Sequence, residues 1–125
     1  MTEYMLLIRN IGNSKSSMSP ADHETFIRKC ESYISDLKSE GKLIAAQPLN
    51  SHGVVIAHLD GTWIETPVDS HKTMQVGYYH ILANDNDEAT SIAKRNPEFE
   101  FTPGASIEVR PIKSSEPTTG FTYPK

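Results

Sequence analysis

Tyr4-Met5-Leu6-Leu7-Ile8 is apolar at every position. Successive side chains of a strand point to opposite faces, so such a run demands cover on both sides of its sheet. Val76 to Ala83 reads as a second buried strand of the same kind. Two-sided cover is hard to provide in a small fold, and the rest of the chain has to supply it.

Between these runs the helix signals are strong. Asn10 to Ser17 is polar and reads as a loop. Ser19 suits an N-cap, and Pro20 fits the first helical position, where its missing N–H costs nothing. Asp22 and Glu24 put negative charge near the positive helix end. Phe26, Ile27, Cys30, Tyr33, Ile34 and Leu37 then share one face of a helix running to about Glu40, with Gly41 as its stop. Leu43 to Ala46 predicts a second strand, broken around Pro48.

Val54 to Ala57 and Trp63-Ile64 flank Asp60-Gly61, a strong hairpin signal because glycine tolerates positive φ. Thr66 to Thr73 contains Pro67 and reads as a loop. After Val76 to Ala83, Asp85 and Glu88 have capping-box spacing ahead of Ala89, Ile92 and Ala93. Pro97 stops that helix by withholding an N–H and restricting Asn96. Ile107 to Ile112 is the last expected strand. Ser114 to Lys125, broken by Pro117, Gly120 and Pro124, reads as a tail, with Phe121 and Tyr123 anchoring it in a surface groove of its own or of a partner chain.

The order is β-α-β, a hairpin, then β-α-β. It predicts an α+β domain over residues 1–113, ferredoxin-like βαββαβ with an added β-hairpin, followed by the tail at 114–125. Two helices cover only one face of a four-stranded sheet. A second copy of the chain is the simplest cover for the other, which predicts a homodimer with its sheets stacked into an α/β barrel. The expected interface carries Tyr4, Leu6, Ile8, Tyr78, His80 and Leu82, or their alternating neighbours.

Charge narrows the partners. Twelve basic against sixteen acidic residues leave a net charge of -4, and no Lys/Arg run offsets it, so the chain is a poor match for nucleic-acid phosphates. One cysteine, Cys30, allows no intrachain disulfide. It reads as a small buried hydrophobe or, alternatively, a reactive thiol. The run from Tyr4 to Ile8 is too short for a signal peptide, and no segment approaches the ~20 apolar residues of a membrane span. A cytoplasmic location with no membrane partner is the expectation.

From Asp60 onward the chain reads Asp60-Gly61-Thr62-Trp63, Gly77-Tyr78-Tyr79, Asp87-Glu88-Ala89 and Ser106-Ile107-Glu108-Val109-Arg110-Pro111. With Tyr4 to Ile8, Ser19-Pro20 and Glu40-Gly41-Lys42-Leu43, these pieces in this order resemble the YCII-related family of small dimeric proteins, often named for an Asp-Gly-Pro-Phe turn. The resemblance covers Met1 to about Lys113 and implies the same dimeric barrel. Two positions depart from it. Thr62-Trp63 stands where the naming turn has Pro-Phe. The enzyme-like branch of the family carries a His near the start of the first helix and an Asp near the end of the second. His23 lies one residue from the first position, and Asn96 occupies the second. An amide cannot accept a proton at neutral pH, so the dyad implied by the resemblance is incomplete.

The residues suggest several further candidates. His23, His52, His58, His71 and His80 have no close ligand spacing, so no metal is expected, and nothing implies a cofactor. His23 and His80 are the candidate catalytic acid/base groups, with a solvent-facing His23 and a satisfied core or interface His80 as the alternatives. Trp63, Tyr78 and Tyr79 can line an apolar cavity and stack on a planar ligand, or fill the core. Arg9 and Arg110 lie on strands that are neighbours in a ferredoxin-like sheet. Together they would hold an anion; separately they would pair with Glu3 or Glu108. The expected site is a cleft between the sheet and the first helix, near His23, Trp63, His80 and Arg110. Three functions follow: binding of a small planar or anionic molecule, cofactor-free lyase, isomerase or oxygenase chemistry, or a non-catalytic dimeric interaction module.

Overall fold

The computed structural model describes residues 1–124. Among them the order is β1 (Thr2–Ile11), α1 (Pro20–Ser39), β2 (Leu43–Pro48), β3 (Val54–Leu59), β4 (Thr62–Pro67), β5 (Thr73–Ala83), α2 (Asn86–Lys94), α3 (Glu98–Phe101) and β6 (Ser106–Pro111). A 3₁₀ turn at Ser14–Ser17 interrupts the first loop. β2-β5-β1-β6 form one antiparallel sheet, and β3-β4 form a separate hairpin. In each βαβ passage the chain steps over one strand, which is compatible with a ferredoxin-like α+β fold. No helix of the described residues is long and apolar enough to cross a membrane.

The helix signals act as expected. Ser19 Oγ accepts the Asp22 N–H at 3.1 Å, and Asp85 caps α2 by accepting the Glu88 N–H at 2.8 Å. Glu88 reaches back to the Asn84 N–H at 3.1 Å, which satisfies a further donor at that end. Pro97 does not end helical structure altogether. Asn96 Oδ1 accepts the Glu98 N–H at 2.8 Å and starts the single turn of α3. Asp60 and Gly61 both take positive φ, 50° and 77°, as the tight turn between β3 and β4 requires.

Tyr4, Leu6 and Ile8 of β1 and Tyr79, Ile81 and Ala83 of β5 pack under α1 and α2, against Tyr33, Leu37, Ala89, Ile92 and Ala93. Tyr33 joins the layers: its hydroxyl donates to the Ile92 carbonyl at 2.7 Å, and its ring meets Tyr79 edge-on at 5.3 Å. The strand phases correct the expected interface. Met5 lies opposite His80 and Leu7 opposite Tyr78, so Tyr78, His80 and Leu82 face away from the helices while Tyr4, Leu6 and Ile8 face towards them. The helix-free side of the sheet therefore carries Met5, Leu7, Tyr78, His80 and Leu82, all half-buried. An unbroken apolar run contains no alternation from which its phase can be read.

Pro48 is part of β2 rather than a break in it. It is tolerated because β2 is an edge strand and its missing N–H interrupts no inner ladder. Beyond β6 the chain turns back on itself, with a bridge between Ser115 and Thr122. Phe121 and Tyr123 pack on each other, ring centres 5.1 Å apart, and remain 54% and 41% exposed.

Candidate functional site

The apolar stripe of α1 is wider than the core beneath it. Phe26, Tyr33 and Leu37 are buried, but Ile27 remains 40% exposed, and Cys30 and Ile34 are half-buried. The surplus face lines a cleft of about 420 Å³ between α1 and the sheet. Ile8, Ala46, Val76 and Tyr79 form the opposite wall. Val76 enters it through a bulge, because β1 and β5 shift register between Ile8 and Arg9. Gly77 lets β2 approach: a Cβ there would lie 3.1 Å from the Gln47 carbonyl oxygen and 3.3 Å from Pro48 Cα.

Two carboxylates line the cleft, Glu31 exposed at its edge and Glu98 buried in this apolar setting. Glu98, 5% exposed, receives the Lys15 ammonium at 2.5 Å and the Asn10 amide at 3.0 Å, both on Oε1. Lys15 also lies over the Phe26 ring, 4.8 Å from its centre. Asn10 uses its other end to accept the Ile11 N–H at 2.9 Å. Asn96 Oδ1 is committed to the Glu98 N–H, which fixes the orientation of its amide and leaves Nδ2 buried without a partner. Lys15 therefore neutralises the charge of Glu98 within the cleft.

Burial pushes the Cys30 thiol up from 9.0 to about 11, helped by the nearby Glu98 and opposed by Lys15. Burial likewise raises the Tyr79 hydroxyl, with smaller contributions from Cys30, Tyr33 and Glu98. At neutral pH both groups keep their protons. Cys30 is then a small apolar wall with a weak donor, not an activated nucleophile.

The expected site residues divide sharply. His23 and Tyr79 line the cleft, His23 on its exposed rim in the first turn of α1. His80 is on the opposite face of the sheet, 2.8 Å from Glu3 Oε1. Trp63 is on the hairpin, 70% exposed, its ring 4.5 Å from that of His58. Arg9 lies opposite Ser106 and Arg110 opposite Met5. Four register steps separate the two guanidinium-bearing positions, roughly 13 Å along the strands. The antiparallel pairing of β1 and β6 makes them diverge, and Arg110 lies 3.7 Å from Glu108 instead.

Glu98, Lys15 and Asn10 are the site residues that the sequence does not announce. Asn96-Pro97-Glu98 does carry a local signal, since an Asn side chain before Pro readily caps the following turn. The partners that make Glu98 a buried, paired carboxylate are 83 and 88 residues away. Compared with the models of known protein families and with curated protein sequences, the chain finds no match.

Proposed function

We propose that this protein binds a small, planar, largely apolar molecule in the cleft between α1 and the sheet, and does so as a homodimer. The observation that carries the reading is the cleft itself. About 420 Å³ is room for a compact ligand, and Phe26, Ile27, Ile34, Val76 and Tyr79 offer it apolar and aromatic surface. The Lys15–Glu98 pair supplies polarity, and Glu31 at the edge adds a negative charge, so a neutral ligand fits better than an anion. The anionic alternative loses its support, because Arg9 and Arg110 are not in the cleft. The resemblance to the YCII-related family is consistent with this arrangement, and membership in that family is part of the proposal.

Homodimerisation is supported by the helix-free face of the sheet. Met5, Leu7, Tyr78 and Leu82 form its apolar stripe, and a second copy stacked there would complete a dimeric barrel. A second functional reading, cofactor-free acid/base chemistry, rests on His23 at the rim of the same cleft. Glu98 is a poor base in that scheme, since its Oε1 already receives two hydrogen bonds. Binding without turnover is the better fit.

Two fluorescent probes of similar shape test the reading, neutral N-phenyl-1-naphthylamine and anionic 1-anilinonaphthalene-8-sulfonate. The expected result is saturable binding of one neutral probe per chain, weaker binding of the anion, and loss of both in Cys30→Phe, which carries a ring into the cleft. Folded protein that saturates with neither probe, or binding unchanged in Cys30→Phe, would overturn it.

A further inference from the structure

The β3–β4 hairpin is built for contact on both sides. Every residue of Val54–Leu59 and Thr62–Pro67 is exposed. Val54, Val55, Ile56, Leu59, Trp63 and Ile64 are between 42% and 70% exposed. The pairing of His58 with Trp63 and of Ala57 with Ile64 sorts them by face. Val54, Ile56 and Trp63 share one face; Val55, Leu59 and Ile64 share the other. An antiparallel ribbon lying on its own domain turns one polar face to water. This one has no polar face, and a lone two-stranded hairpin is marginal in water. β3 also carries neither proline nor Asp, Glu, Lys or Arg, the usual protections of an open strand edge.

Three observations identify what covers it. Folding back onto its own chain would cover one face and leave three large apolar side chains in water. With side chains of this size, the six leave roughly 600 Å² exposed, close to the ~800 Å² that each partner brings to a stable dimer. The charges are also complementary. Residues 54–67 contain Asp60 and Glu65 and no Lys or Arg, which argues against an anionic membrane surface. Arg9 and Arg110, both exposed, flank the helix-free sheet face, Arg110 beside Glu108 of its own chain.

We propose that the hairpin is an exchanged arm, docking on the rim of the helix-free sheet face of a second copy with Asp60 and Glu65 towards that copy's arginines. Two-fold symmetry makes the exchange reciprocal. The inference rests on the pairing of the chain with itself proposed above, and adds the arm to it.

Trp63 is the only tryptophan, so its fluorescence reports on the arm directly. Light scattering and acrylamide quenching are measured over one dilution series. The expected result is a dimer in which Trp63 is shielded and blue-shifted, becoming quenchable and red-shifted as the dimer dissociates. The arm can be excised cleanly, because the Val68 N–H donates to the Gly53 carbonyl at 2.9 Å across its base. Replacing residues 54–67 by Gly-Gly is expected to weaken dimerisation at least a hundredfold with cooperative melting retained. Should that variant not fold, Ile56→Lys, at a position already in water in the single chain, is expected to weaken the dimer at least tenfold. A dimer with fully quenchable Trp63, or unchanged association of Ile56→Lys or of a folded excised variant, overturns the arm and leaves pairing through the sheet standing. Monomeric wild-type protein at high micromolar concentration overturns both. Trp63 shielded equally in monomer and dimer would assign the arm to its own chain instead.

Discussion

Glu98 shows how one buried carboxylate depends on its neighbours. Lys15→Met would leave its charge in an apolar cleft with only the Asn10 amide. A fully buried pair broken this way costs ~3–5 kcal/mol, and the 29% exposure of the Lys15 side chain reduces the expectation to about 2 kcal/mol. Glu98→Gln should cost about 1–2 kcal/mol, since it loses charge-assisted hydrogen bonds but leaves unpaired only the Lys15 charge, which can reach water. In urea denaturation the double variant should be less destabilised than the sum of the singles by about 1 kcal/mol; additivity within ~0.5 kcal/mol would show that the two side chains are not coupled. Cys30 offers a pH test at the same site. Burial pushes its folded thiol up to about 11 from the ordinary 9.0. Between those values the unfolded chain binds fewer protons than the folded one, so stability falls as pH rises through that window. Buried Tyr33 and Tyr79, whose hydroxyls are also pushed up, add to the loss at its upper end. Melting temperature should decline from about pH 9 upward, less steeply in Cys30→Ala, and a flat profile would contradict the burial of the thiol.

At the scale of elements, the caps and turns are local devices whose effects should stay local. Asp85 holds the first turn of α2 through a single side-chain bond of 2.8 Å to the Glu88 N–H. Asp85→Ala should therefore cost about 1 kcal/mol, read as a lower urea midpoint with an unchanged slope. No change in midpoint would mean that the Asp85 bond adds nothing to α2. α1 has a different relation to the core. Its buried residues Phe26, Tyr33 and Leu37 dock it, while Ile27, Cys30 and Ile34 stand over the cleft. One helix thus supplies both scaffold and cleft wall, and a change at Ile34 should alter probe affinity more than a change at Tyr33 can without unfolding the protein.

For the whole molecule, the sheet has one face closed by helices and one carrying Met5, Leu7, Tyr78, His80 and Leu82. Leu7→Lys places a charge in the middle of that second face, opposite Tyr78. In a single chain Leu7 is only half-buried and the lysine can reach water along its stem, so the fold should survive. In a sheet-to-sheet dimer the same charge would be desolvated. The expected outcome is a folded monomer by light scattering, and an unaltered dimer would move the interface away from this face.

Much of the architecture is determined by short-range chemistry that the sequence displays. Ser19-Pro20, Asp85 with Glu88, and Asp60-Gly61 each specify a cap or turn through bonds spanning a few residues, and the structure realises all three. The spacing of Phe26 to Leu37 likewise specifies a helix and its apolar face. The phase of Tyr4 to Ile8 is different: with every position apolar, only pairing with β5 and β6 determines which side chains meet the helices. The candidate site follows the same division. The cleft beside α1, with His23 and Tyr79 on it, is legible from helix and strand order. Trp63, His80, Arg9 and Arg110 are dispersed because strand register and an independent hairpin set their positions, and no local pattern encodes either. Glu98 owes its burial and its ion pair to Asn10 and Lys15 at the far end of the chain. Local bonds are written in neighbouring residues, whereas the environment of a buried charge is decided by whatever the completed fold brings against it.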